Sequence, residues 1–323
     1  MMLLVADVGG TNTRIALVQP DGATTPSLSV SHIRRYQNDG FGSFYEVLNR
    51  YSADHQLPVL DGCCIAVAGP VTSTRAQLTN RNWSFDAAAI AAALPVTAAP
   101  PGGAVHLVND LVALGYALPD LTPDQLLQVR PAARAPSLNS QALVAGMGTG
   151  FNVCMVKTGQ MAPTVIEAEL GHANLPANVR DQLVAVLGDD ANRFATIEDL
   201  FSGRGLSQVH QILSGGREQK GQKILAEYDP ARRDCAAQAV ELSARLLGML
   251  TRELVFQYLP FGGIHFAGGA AQGILKSAAI EVFLQSLAAP DPFADHIAVV
   301  PVRLITDDTA ALTGAARFML APG

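Results

Sequence analysis

Hydrophobic positions along the chain come in short runs broken by glycine, proline and polar turns. The first run, Leu3-Leu4-Val5-Ala6-Asp7-Val8, passes through Gly9-Gly10-Thr11-Asn12-Thr13 into a second, Arg14-Ile15-Ala16-Leu17-Val18. This pattern predicts two strands joined by a glycine turn. A third strand is expected over 29–36 and an amphipathic helix over 42–51. The continuous apolar stretch Gly62-Cys63-Cys64-Ile65-Ala66-Val67-Ala68, closed by Gly69-Pro70, predicts a buried strand that ends at a loop. Beyond Trp83, either Ser84 or Asp86 can cap an alanine-rich helix. Val105-His106-Leu107-Val108 predicts another buried strand; Asn109-Asp110 closes it and a helix over 111–118 follows.

The second half repeats this arrangement. A proline-broken loop is expected over 128–141. Ala142-Leu143-Val144-Ala145-Gly146-Met147-Gly148-Thr149-Gly150-Phe151-Asn152-Val153-Cys154-Met155-Val156 then reads as strand, glycine turn, strand, and Val144-Ala145-x-x-Gly148 echoes Val5-Ala6-x-x-Gly9. Two halves built on one plan follow. A long core helix is expected over 234–259, a strand Ile264-His265-Phe266-Ala267 closed by Gly268-Gly269, a helix over 272–283, a strand over 297–304 and a closing helix over 308–319. Strands alternating with helices predict an α/β fold.

Composition narrows the class. At 323 residues the chain is longer than one core usually supports, which predicts two domains. A net charge of −6 argues against a broad nucleic-acid or anionic-membrane surface. No apolar run reaches the length of a membrane span, and the N-terminus has no basic segment followed by an apolar one, so a cytoplasmic location is expected. Cys63, Cys64, Cys154 and Cys235 contain no CxxC pair and are expected to be reduced core thiols.

The chemistry begins at the first turn. Gly9 and Gly10 let backbone N–H groups approach an anion closely, as in the concave nests that hold phosphates. Asp7 beside them would repel a bare polyphosphate but suits one that carries a magnesium ion and its waters. A Mg·nucleotide site follows, with a plain β-hairpin as the alternative these residues leave open. The loop is not a Walker A element, since no Gly-Lys-Ser/Thr follows and it leads into a strand. Gly146-x-Gly148-x-Gly150 is not a dinucleotide fingerprint, because a strand rather than a helix follows it. Asn109 and Asp110 sit at a strand's carboxyl end, where α/β sheets collect ligands, although taken alone Asp110 reads first as a helix cap.

Three glycine turns at strand ends (7–12, 146–150 and 267–270) together with the Asn109-Asp110 pair resemble, in order and spacing, the bacterial glucokinase family of the sugar kinase, actin and heat-shock-chaperone ATPase superfamily. The resemblance runs from residue 3 to about 317. It implies a two-domain actin-like (ribonuclease-H-like) fold with a cleft between domains. The small domain would comprise 1–110 plus 305–323, and the large one 111–304. The implied activity is ATP-dependent transfer of a phosphoryl group to the 6-hydroxyl of D-glucose, giving glucose 6-phosphate and ADP. A kinase for another hexose or amino sugar is the alternative.

By the same resemblance, Ala6, Asp7, Val8, Gly9, Gly10, Thr11 and Asn12 form the first phosphate loop, Gly146, Gly148, Thr149 and Gly150 the second, and Gly268 and Gly269 an adenosine loop. Asn109, Asp110, Glu169, His172 and Glu198 fall on sugar-binding positions, with Asp110 as catalytic base and Asp7 holding Mg²⁺ through water. Carboxylates, an amide and an imidazole suit a ring of hydroxyls. The domains are expected to close over the sugar, and a homodimer is implied. The chain departs from the family at Phe151-Asn152, where a small apolar residue and glycine are usual, and at Leu170, where Glu-Gly-Gly-His is usual. Phe151 and Leu170 are expected to add bulk near the ligands. A sugar-responsive regulator would need a basic helix-turn-helix, and the first strand begins within a few residues of Met1.

Overall fold

The computed structural model describes residues 1–22, 27–97, 104–134, 139–159 and 162–321. The chain folds into two compact units, one of Met1–Leu121, Gly159–Val165 and Asp307–Gly323, the other of Thr122–Thr158 and Ile166–Thr306. The first unit thus runs past Asp110 to Leu121, because the helix that starts at Asp110 packs on the sheet of its own unit.

In the first unit, β1 (Leu3–Val8), β2 (Asn12–Pro20) and β3 (Leu28–Gln37) lead to α1 (Phe44–His55) and β4 (Gly62–Val67). A two-stranded ribbon, β5 (Arg75–Gln77) with β6 (Ser84–Asp86), precedes α2 (Ala87–Ala93), β7 (Val105–Asn109) and α3 (Asp110–Ala117). The main sheet has the order β3-β2-β1-β4-β7, with β1, β4 and β7 parallel. Successive strand residues face opposite sides, and both sides of β1 are apolar. Leu4, Ala6 and Val8 join the core containing Phe44, Tyr51 and Trp83, whereas Leu3 and Val5 join the core that α3 shares with the C-terminal helix. Asp7 continues the Leu3-Val5 series, so its side chain emerges toward those two helices. Asp86, not Ser84, caps α2, accepting from the N–H groups of Ala88 and Ala89.

In the second unit, β8 (Leu126–Arg130), β9 (Gln141–Met147), β10 (Phe151–Lys157) and the end of β11 (Thr164–Glu167), whose first two residues count with the first unit, are followed by α4 (Ala177–Leu187), α5 (Ile197–Leu200), α6 (Gly203–Leu213) and α7 (Gly221–Ala226). Then come α8 (Cys235–Tyr258), β12 (Gly263–Ala267), α9 (Gly269–Leu275), α10 (Ile280–Leu287), α11 (Ala294–Ala298) and β13 (Val302–Ile305); α12 (Ala310–Leu320) returns to the first unit. The sheet order β11-β10-β9-β12-β13-β8 repeats that of the first sheet and adds β8 at the edge. In both halves an antiparallel hairpin, β1–β2 or β9–β10, is joined by a parallel strand, β4 or β12. The internal echo in the sequence therefore marks equivalent hairpins.

Three expected elements differ. The helix over 272–283 is two helices, since the Ser277 hydroxyl donates to the Ile274 carbonyl and accepts from Ala279 N–H, ending the first. The strand over 297–304 begins only at Val302. Pro301, which lacks an N–H, precedes it, and the preceding turn closes through Val300 N–H to the Ile297 carbonyl. Part of the loop expected over 128–141 is the edge strand β8, paired antiparallel with β13; residues 135–138 lie outside the described residues. Cys63, Cys64 and Cys154 are buried and unbridged, as expected, while Cys235 is only partly covered. Among the described residues no helix is long and apolar enough to cross a membrane.

Candidate active site

The first unit gathers acidic groups at the carboxyl ends of its parallel strands. Val8, Val67 and Asn109 lie at one level of the β1–β4–β7 ladder, which brings Asp7 and the Asn109-Asp110 pair to the same edge. Asp7 is mostly buried and faces Arg14 across the hairpin register. Arg14 Nη1 donates to Asp7 Oδ2 at 3.1 Å and Nη2 to Asp308 Oδ2 at 3.0 Å, so one guanidinium serves two carboxylates. Burial still pushes the Asp7 carboxyl up, Arg14 opposing and Asp308 adding to the shift.

Asp110 is pushed up too, from 3.8 to about 7. Burial is the larger cause and the negative charge of Asp7 the next; the N–H of Leu111 works the other way. The cap of α3 is Asn109 rather than Asp110. Its Oδ1 accepts from Leu111 N–H at 2.9 Å and its Nδ2 donates to the Gly69 carbonyl at 3.2 Å. Asp110 occupies the first helical position, so the capping alternative does not account for it.

The turn between β1 and β2 is braced from behind. The carbonyls of Gly9, Gly10 and Thr11 accept from Asn38 Nδ2, Arg81 Nε and Asn38 N–H respectively, at 2.8, 3.3 and 2.9 Å, and Gly9 N–H closes the turn onto the Asn12 carbonyl. Asn38 is fully buried and also accepts from the Thr13 hydroxyl. Arg81 lies over the Trp83 ring and pairs with Asp39. Asn12 Oδ1 accepts from Arg35. Neither Asn38 nor Arg81 stands out in the sequence, because nothing local ties either one to the turn 30 to 70 residues away. The observed hairpin register, not the sequence reading, sets Arg14 opposite Asp7.

In the second unit, Gly148-Thr149-Gly150 links β9 to β10, with Gly148 N–H on the Gly150 carbonyl. The Gly148 carbonyl accepts from Gly203 N–H at the start of α6, whose cap is Ser202. Glu198, on the one-turn helix α5, accepts from Phe151 N–H at 3.2 Å and from Arg204 Nη2 at 2.8 Å. It lies so close to the loop that a Cβ on Gly150 would stand 2.3 Å from its Oε2. Gly171 likewise sits where a Cβ would meet the Phe151 carbonyl at 2.0 Å, which seats the turn Glu169-Leu170-Gly171-His172 against β10. Asn152 Nδ2 donates to Glu169 Oε2 at 3.0 Å, and His172 Nε2 is 3.9 Å from the same oxygen. The side chains of Glu169 and His172 are 72% and 73% exposed, so both are available to a ligand. Gly268, with φ of +95°, passes within a Cβ's reach of the Met147 carbonyl; it leads into Gly269, whose Cβ position is open.

Glu169, His172 and Glu198 thus converge on β10, and Asp7, Asn109 and Asp110 on one sheet edge of the first unit. The expected bulk at Phe151 and Leu170 is not found near these groups. Phe151 is buried against Phe201 and Leu170 packs on the main core of its unit, since both apolar side chains turn inward.

A doubled strand-hairpin plan with glycine turns at the strand ends is the architecture of sugar kinases with the actin-like ATPase fold. A family model described as Glucokinase matches residues 4–321, and the chain belongs to that family. It is 29% identical over 331 residues to a glucokinase of Caulobacter sp. strain K31, covering 99% of this chain and 95% of the relative. Among solved structures, a glucokinase from an Antarctic psychrotroph superposes with a TM-score of 0.78 at 24% identity, covering 99% of this chain and 98% of the other. A ROK family glucokinase from Streptomyces griseus, in complex with glucose and AMPPNP, gives 0.65 at 15% identity, covering 98% and 99%. At such identities these two likenesses establish the fold.

Proposed function

We propose that the chain transfers the γ-phosphoryl group of ATP to the 6-hydroxyl of D-glucose, with Asp110 as general base and Asn109, Glu169, His172 and Glu198 binding the sugar. The observation that carries this reading is Asp110. It is a carboxylate raised to about 7 at the end of a parallel strand, beside a braced glycine turn, in a chain of the glucokinase family. A base titrating near neutrality accepts a proton while remaining ionised for a useful fraction of the time. Asp110 takes the hydroxyl proton as the sugar oxygen attacks the γ-phosphorus in line, and ADP leaves without a covalent enzyme intermediate.

The first phosphate loop (6–12) and the second (Gly146, Gly148, Thr149 and Gly150) bind the phosphates in this reading, and Gly268-Gly269 the adenosine. Arg14 opposes the upward push that burial exerts on the Asp7 carboxyl. Among the described residues no cluster of three or more ligating side chains forms a cage. This donor set therefore suits Mg²⁺ that arrives on the phosphates and keeps its waters, with Asp7 reaching it through water. When bound, the ion screens charge on the transferring group.

Suppressing transfer to water calls for the two units to form a cleft and close over the sugar. Equal radii of gyration by scattering with and without glucose would contradict closure. We also place the protein in the cytoplasm as a homodimer without nucleic-acid or membrane partners, which sedimentation and fractionation can test. The decisive assay is ADP release with and without glucose, repeated with fructose, mannose and N-acetylated hexosamines. Glucose-dependent release supports the reading. Release with only another sugar moves the substrate, and none with any hexose rejects the kinase.

A further inference from the structure

We infer that Asn152 is a positioning residue for sugar recognition, holding the carboxylate of Glu169 so that one oxygen stays free for a glucose hydroxyl. The inference deepens the proposed function and rests on it. Asn152 is the second residue of β10 and pairs across the ladder with Gly146, whose missing side chain leaves that part of the sheet face to the asparagine. Its amide makes three hydrogen bonds. The Oδ1 accepts from Val153 N–H at 2.9 Å and from Leu170 N–H at 3.0 Å, while the Nδ2 donates to Glu169 Oε2 at 3.0 Å. One side chain therefore fixes both the backbone of the sugar turn and the carboxylate it presents.

The amide and the His172 imidazole both approach Glu169 Oε2. Oε1 is then the acceptor left for a sugar O–H. Without Asn152 an exposed glutamate would sample several rotamers, and glucose would have to order it on binding. The adjacent residue, Phe151, holds Glu198 through its N–H. Two neighbours in sequence thus set two carboxylates, immediately after the glycine turn that carries Thr149. Asn152→Gly would lose the hold on Glu169.

The separating variant is Asn152→Asp. It keeps an acceptor for Leu170 and Val153, so the turn keeps its backbone anchor. It replaces the donor facing Glu169 with a like charge. Glucose KM is expected to rise about 10-fold or more, the loss of a hydrogen bond to a charged group, with ATP KM and kcat within about 3-fold and no fall in melting temperature. Asn152→Gly should raise glucose KM in the same direction. In a Glu169→Gln background, Asn152→Asp should add little, since the repelled charge is gone.

A purely structural Asn152 would lower melting temperature without the selective KM change. Unchanged glucose KM in both single variants, or full additivity with Glu169→Gln, would overturn the inference while the kinase reading stands. A wild type inert toward glucose would remove both, and the wild-type control distinguishes the cases. If Asn152→Asp does not fold, Asn152→Gly alone decides through the same KM split.

Discussion

Replacing Asp110 by asparagine should cost activity and add stability, and the structure supplies both magnitudes. The native carboxyl titrates near 7 instead of 3.8, so between those values the folded chain binds a proton that the unfolded chain releases. Wild-type stability is then lost progressively as pH rises from about 4 to 7 and stays lost above. At 1.36 kcal/mol per pH unit this loss reaches at most about 4 kcal/mol. Coupling to Asp7 and side-chain relaxation bring the expected gain for Asp110→Asn above pH 7 to about 1–3 kcal/mol.

The helix start is not the cost, because Leu111 N–H is shared between Asn109 Oδ1 at 2.9 Å and Asp110 Oδ1 at 3.1 Å and keeps its cap in the variant. Urea melts of both proteins from pH 5 to 8.5 at fixed ionic strength test this. The stability difference should grow with pH and level off above about 7. In parallel, kcat at pH 8 should fall by about 10²–10⁴-fold. A difference independent of pH, a less stable variant at pH 8, or retention of most turnover would refute the reasoning.

The remaining predictions concern neighbours of the same groups. Asp7→Asn removes the charge that helps raise Asp110, so the acid limb of the kcat/KM profile should move to lower pH while the requirement for Mg²⁺ rises; an unmoved limb in the pH–rate profile would deny the coupling. Gly150→Ala, whose Cβ would lie 2.3 Å from Glu198 Oε2, should raise glucose KM about 10-fold by breaking the Phe151 N–H bond. Gly148→Ala meets no atom within 4 Å among the described residues beyond its chain neighbours, and in steady-state kinetics it should affect ATP KM rather than glucose KM. Gly314→Ala would set a Cβ 1.7 Å from the Ala113 carbonyl oxygen, where α12 crosses α3; a loss of about 3 kcal/mol or more is expected in the urea midpoint.

The strand-and-turn pattern was legible because both faces of β1, β4, β9 and β12 are buried, so their apolar runs are continuous and their glycine ends stand out. The echo between the two hairpins was legible for the same reason, since equivalent strands meet equivalent cores. The positions of Asp7, Asp110, Glu169, His172 and Glu198 could be carried over from the family resemblance. Their exposure and partners could not.

Local sequence did not reveal where one helix becomes two at Ser277, or that 126–130 would find β13 as an edge partner, because both depend on what lies beside the segment. What the sequence alone determined is the order of strands, turns and acidic groups, which follows from alternation, chain stiffness and glycine placement. Only the tertiary structure decided that Asn109 rather than Asp110 caps α3, that Phe151 and Leu170 turn inward, and that Asn38, Arg81 and Asn152 brace the loops. The physical reason is that burial and hydrogen bonding are set by groups far away along the chain. Asp110 reaches the neutral range because distant segments remove its water, and the charge of Asp7 beside it adds to the shift.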